Sequence, residues 1–377
     1  MKPSRVKPVI KKEFRQILRD KRSLGVLLVL PAFLILLIGY ALNFDVKHVS
    51  VIVFDQDRTP ESRAFVRSFT MSEYFDVNYY SQEYETVNTL LNTGKASAAI
   101  VIPPNFSEEL YAGRTVPLQI LIDGANANSA TTILGYVNAI TETYSANVST
   151  MMLTKIGQTF SPPIDLRPRI WYNSELSSSK YLLPGLIAMI LMLSAVVSTS
   201  LSVVREKERG TMEQLTVSPL QTIEIIIGKT IPYLLISLVG SVIILLIGYA
   251  LFDVTVRGSI IWLYVGITLF LFCALGQGLL ISSISPTQQV AFMISVFSSL
   301  LPTFMLSGFI FPIRSMPVVL QWISNVVPTK YFLVIARSVM LKGTEPHVYW
   351  EQLLFLGIFA FITLAVSAVR LLKSKTV

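Results

Sequence analysis

The sequence predicts a polytopic α-helical membrane protein: six transmembrane helices, with an extracytoplasmic α/β domain inserted between helices one and two. Three observations carry this expectation. Only 14% of the 377 residues are charged while 52% are hydrophobic, against about 25% charged in a soluble domain. The apolar excess sits in long uncharged runs, which gives a mean hydropathy of +0.60. The basic residues gather at the two ends of the chain.

About 20 apolar residues cross a bilayer core as a helix. The runs place spans at 24–42, 182–204, 231–252, 259–283, 289–311 and 352–371. The fourth and fifth come from one long run, divided at the polar, proline-containing Ser282–Gln289. The first run could be mistaken for a cleaved signal peptide. It is long for that, and its exit, Tyr40-Ala41-Leu42-Asn43-Phe44, has no small-x-small cleavage site, so an uncleaved signal-anchor is expected. Segment 312–349 is apolar but cut by Arg314, Pro317, Pro328, Lys330, Arg337 and Lys342. Met316, Val319, Leu320, Ile323 and Val326 fall at helical spacing, so short interfacial or re-entrant helices are expected there.

Charge sets the orientation. Residues 1–23 hold nine Lys/Arg against Glu13 and Asp20, and the tail carries Arg370, Lys373 and Lys375. Stretch 43–180 holds ten Lys/Arg against fourteen Asp/Glu. The positive-inside rule places both termini in the cytoplasm and, by parity, the insert outside. The net charge of +8 therefore reports topology and needs no nucleic acid.

In the amino-terminal arm, Val6, Val9, Ile10, Phe14, Ile17 and Leu18 form a stripe of period 3.6. Lys7, Lys11, Lys12, Arg15, Arg19 and Arg22 take other positions. Such a helix suits the inner headgroup layer. The insert alternates strands (49–54, 75–80, 98–102, 117–122, 165–172) with helices (61–72, 83–92, 106–111, 128–156), the pattern of a small α/β domain. Asn105-Phe-Ser107 and Asn147-Val-Ser149 match glycosylation sequons by chance. Between Arg205 and Lys229 sit four acids and four bases. Their sum is zero, so membrane anchoring does not explain them. A protein–protein contact at the inner surface and a solvated loop both fit.

Several chemistries are excluded. Gly228-Lys229-Thr230 lacks the earlier glycine of a phosphate loop, the position being Ile223. One cysteine, Cys273, and two distant histidines, His48 and His347, exclude disulfide frameworks and zinc sites. Asp55 and Asp57 after the first strand are expected to cap turns rather than hold a metal. The spans carry no charge at their centres, which argues against an ion-coupled pump. Phe297, Phe304 and Gly308 share a helical face, and with Met189 and Met192 they suggest a soft lining for a lipophilic substrate.

The sequence resembles the membrane subunits of type-2 ABC exporters, the bacterial drug- and lipid-export permeases related to ABCG-type transporters. The resemblance spans essentially the whole chain. It rests on Lys12-Glu13-Phe14 and Arg19-Asp20 in the arm, on the large insert, and on Arg205-Glu-Lys-Glu-Arg-Gly-Thr-Met-Glu-Gln-Leu215. It rests also on Leu306-Ser-Gly-Phe-Ile-Phe-Pro312 and Pro328-Thr-Lys-Tyr-Phe332. It implies an elbow helix over about 6–22, with Lys12, Phe14, Arg15 and Arg19. It implies a coupling helix over about 205–220, with Glu206, Glu208, Arg209, Thr211 and Glu213, and a second contact at Ser285–Gln289. The implied partners are a separate ATPase, which would hold the ATP and Mg, a second permease subunit, identical or paralogous, and the lipid bilayer. An envelope adaptor would be a further partner, and this chain would bind no cofactor. The implied site is the bacterial inner membrane. Two rivals are weaker. A membrane-anchored sensor or scaffold leaves five spans unexplained, and a lipid-modifying enzyme has only Glu345 and His347 as candidate groups.

Overall fold

The structure is a computed structural model and describes residues 3–41, 46–155, 171–173, 177–211 and 221–373. The chain divides into two compact units, Met1–Asn43 with Arg169–Val377, and Phe44–Pro168.

The first unit is helical. It begins with α1 (Pro3–Arg19), then α2 (Lys21–Leu24), a π-helical turn (Gly25–Val29) and α3 (Leu30–Ala41). After the second unit come α8 (Ser178–Glu208), α9 (Thr222–Phe252), α10 (Ile260–Ile284), α11 (Gln288–Leu306), α12 (Val318–Ser324), α13 (Pro328–Arg337) and α14 (Trp350–Lys373). Five of these, α8 to α11 and α14, are long and apolar enough to cross a membrane. The expected first span is helical but short. Its apolar stretch, Gly25–Ala41, has 17 residues, about 25 Å of rise against a core of about 30 Å. The bent pair α12 and α13, extended to Lys342, turns by 83° and gives a sixth span if counted as one. Among the described residues, five of the six expected spans are long apolar helices, the first is a shorter apolar helix, and the bent pair lies in the segment expected to hold short interfacial or re-entrant helices.

Helix α8 is the axis of this unit, packed against α3, α9, α10, α11 and α13. Between apolar helices, association relies on close packing and hydroxyl bonds rather than on hydrophobicity. The composition of α8 fits that role: Ser194, Ser198, Thr199, Ser200 and Ser202 are all buried. The Ser200 hydroxyl meets that of Ser295 on α11 at 2.7 Å. Cys273 of α10 is buried and donates to the Leu356 carbonyl of α14 at 3.3 Å.

Helix ends follow local chemistry. Thr287 caps α11, accepting from Val290 N at 3.3 Å. The helix stops at Leu306, earlier than the expected 311, because Gly308 adopts φ +80°. Gly308 therefore leaves the helical face expected to hold it beside Phe297 and Phe304. The turn drives Phe309 into the core against Gly185, where an added Cβ would lie 2.0 Å from the ring. Arg337 of α13 secures the turn from outside, donating to the carbonyls of Gly308 at 3.0 Å and Phe309 at 3.1 Å. Its guanidinium lies 4.1 Å from the Tyr181 ring.

The second unit holds β1 (Val49–Asp55), α4 (Pro60–Thr70), β2 (Phe75–Ser81), α5 (Tyr84–Asn92), β3 (Ala98–Ile102), α6 (Phe106–Tyr111), β4 (Gln119–Ile122) and α7 (Ala127–Lys155). The sheet order is β2-β1-β3-β4, with the first three strands parallel and β4 antiparallel. One face buries Val51, Phe65, Phe69, Ile100 and Ile133, and the other buries Ile52, Val87 and Ala99. Asp55 and Asp57 are engaged in the turn after β1. Asp55 accepts from the amides of Asp57 and Arg58, each at 3.0 Å, and from Ser62 Oγ at 2.6 Å. Asp57 accepts from the Ser107 amide at 3.1 Å. Most of the expected strand at 165–172 lies outside the described residues, and Trp171 and Tyr172 are not in a strand.

Gly185→Val should collide with Phe309 and cost about 1–3 kcal/mol, read as a lowered melting temperature in detergent. Adding Phe309→Leu should recover part of the loss.

Candidate functional site

The site is built where α8 ends. Residues Arg205 to Glu208 each reach another helix or its end. Glu206 is 4% exposed. Its carboxylate accepts from Lys229 of α9 at 2.6 Å and from Lys12 of α1. Lys229, 2% exposed, also reaches Glu13 of α1 at 3.2 Å, and Glu13 is fully buried. Lys12 lies 3.1 Å from Glu13. Two lysines and two glutamates thus close a ring across three helices. Burial alone would lower the Lys12 pKa, but the Glu13 and Glu206 carboxylates outweigh it and hold it above the ordinary lysine value.

The other residues extend the hub. Arg205 pairs with Asp20, and its Nε donates to Gln288 Oε1 at 3.3 Å. Lys207 donates to the Ser282 carbonyl at the end of α10 at 2.5 Å. There the helix carbonyls lack partners and carry partial negative charge. Glu208 accepts from the Gln288 amide nitrogen at 2.7 Å and from its side chain. The loop at Ser285–Gln289 is thereby joined to the end of α8. Thr211 donates to the Glu206 carbonyl at 3.2 Å.

Helix α1 reaches this hub because its stripe is real. Val6, Val9 and Ile17 are buried, and the helix packs on α9. At the crossing, a Cβ on Gly228 would lie 2.6 Å from Val9 Cγ1. Phe14 is half-buried against the core, while Arg15, Arg19 and Leu18 are exposed. Val6, Val9 and Ile17 of the apolar stripe therefore face protein.

The structure brings Lys12, Glu206, Glu208 and Thr211 together, with Arg209 exposed beside them. Glu213 lies outside the described residues. Met189 and Met192 are buried in the helical core, Phe297 is 60% exposed, and Phe304 packs edge-on to Phe309 at 5.8 Å. Met189, Met192 and Phe304 thus belong to one packed core, and Phe297 lies on an exposed face. The two charges of the ring that carry no role in the sequence reading are Glu13 and Lys229. The available signal was an acid on an apolar stripe and a lone base entering an apolar run.

Lys229→Met should leave the buried Glu13 and Glu206 sharing the single cation Lys12 and cost about 3–5 kcal/mol. Lys229→Gln with Glu206→Gln, which removes a charge of each sign, should cost less. Thermal unfolding in detergent compares them.

The profile of the ABC-2 family transporter protein matches residues 21–369. The chain is 34% identical over 353 residues to the probable multidrug ABC transporter permease YbhS of Escherichia coli K12, covering 93% of this chain and 92% of that protein. It is 32% identical over 345 residues to the probable multidrug ABC transporter permease YbhR of the same strain, with 92% of each chain covered. ABC transporter G family member 20 of Dictyostelium discoideum is 25% identical over 358 residues, which cover 93% of this chain and 48% of that protein. On these grounds the chain belongs to the ABC-2 transporter family, as a membrane permease component.

Proposed function

We propose that this permease exports a lipophilic or amphipathic compound, driven by a separate ATPase that docks on the end of α8. One observation carries the reading: residues 205–208 tie α8 to α1, α9, α10 and α11 at once. A push delivered to the exposed Arg209 and the segment after it would reach every one of those helices. ATP and Mg would be held by the partner, and its nucleotide-driven closure would supply the push.

A second permease subunit completes the transporter. The exposed face of α11, with Phe292, Met293, Phe297, Leu301 and Met305, supports a protein-facing or substrate-facing role for that helix. The printed names of the two Escherichia coli relatives favour multidrug substrates. The charge distribution favours an inner-membrane location with both termini cytoplasmic. The α/β unit would then lie outside, placed to gate the exit or to meet an envelope partner.

Glu208→Arg and Arg209→Glu each alter an exposed group, so the protein should remain monodisperse. Export and ATPase stimulation, measured on permease and ATPase reconstituted together, should both fall to background. Survival of both activities would refute the coupling role.

A further inference from the structure

We propose that the cavity beside the hub binds the headgroup of an anionic phospholipid. The cavity has a volume of about 990 Å³ and lies among α1, α2 and the ends of α8 and α11. Five of its lining residues are cationic: Lys12, Arg19, Lys21, Arg205 and Arg209. Two are acidic, Asp20 and Glu206, so its walls carry three positive charges in excess. Both acids are already engaged, Asp20 by Arg205 and Glu206 by Lys12 and Lys229. Arg19, Lys21 and Arg209 are exposed and form no ion pair among the described residues. Gln16 and Thr211 add neutral groups to the wall.

Positive-inside anchoring explains basic residues near a membrane, but not their convergence on a concave site whose acids are neutralised from within. Basic pockets between membrane helices suit phosphate headgroups. The apolar half of the ligand has a place as well. From Lys21 the chain runs through the π turn, where Val29 is exposed, into α3, where Phe33, Leu36, Leu37 and Tyr40 are exposed. Lys21 to Val29 rises about 12 Å, so a phosphate held at Arg19 and Lys21 lays its acyl chains along that strip. A negative head joined to an apolar tail satisfies both parts, whereas an acidic protein segment satisfies only the first. The inference rests on the membrane reading of the chain and not on ATPase docking, so either can fail without the other.

Full-length permease, delipidated in detergent and without ATPase, tests it by native mass spectrometry. Phosphatidylglycerol and cardiolipin should be retained in preference to phosphatidylcholine. Arg19→Gln with Lys21→Gln should weaken retention about 30-fold, at about fivefold per cation. Lys11→Gln with Arg15→Gln, two exposed cations of α1 outside the cavity, should leave it within about twofold. Each single variant, Arg19→Gln or Lys21→Gln, gives the fivefold step if the double variant does not purify. Equal retention of phosphatidylcholine, or equal loss in both double variants, would overturn the proposal. So would displacement by a glutamate-rich peptide with no competition from anionic lipid, which would assign the cavity to an acidic partner.

Discussion

The packing of α1 on α9, where α8 ends, depends on Lys229 being held between Glu13 and Glu206. Taking an ammonium group and two carboxylates out of water costs several kcal/mol per ion, and their mutual attraction offsets it only in good geometry. Such a ring is a weak source of stability but a strong source of specificity. Helix α1 can sit on α9 at one register only, because a shift by one residue moves Glu13 out of reach of Lys229. The apolar stripe of α1 supplies the attraction. Gly228 allows the close approach, and the ring fixes the position. Lys12 then closes the circuit to Glu206, so α1, α8 and α9 are joined as one body at this end.

The opposite end of α8 is held by different means. There Phe309 occupies the space left by Gly185, and Arg337 collects the carbonyls that a broken helix exposes. An unpaired backbone carbonyl is costly where water is absent, so the arginine is the natural companion of the break at Gly308. Between the two ends, α8 buries a run of hydroxyls among its large apolar side chains. A helix held by ions at one end and by a plug at the other, with small polar contacts between, is suited to move as a rigid rod.

Much of this was legible in the sequence. Five long helices, the bent segment before α14 and four of the five expected strands follow from periodicity and breakers. The termini of α11 needed the local chemistry of Thr287 and Gly308, which a run-length argument overshoots by five residues. The mixed-charge segment was legible as important, but its direction was not. Glu206 faces inward because Lys229, 23 residues later in sequence, is one contact away in space. Pairings between distant residues leave no mark on periodicity. The same limit applied to the path residues: Met189 and Met192 look like Phe297 in a hydropathy profile, and only packing separates the core from the exposed face.

The ring has a further consequence. Two lysines and two glutamates sum to zero charge. Moving one elementary charge through 100 mV of membrane potential takes about 2.3 kcal/mol. Displacing this neutral body along the membrane normal takes almost none. The ring therefore adds nothing to the electrical work of displacing the helices it joins, and that work is left to the other charges of α1.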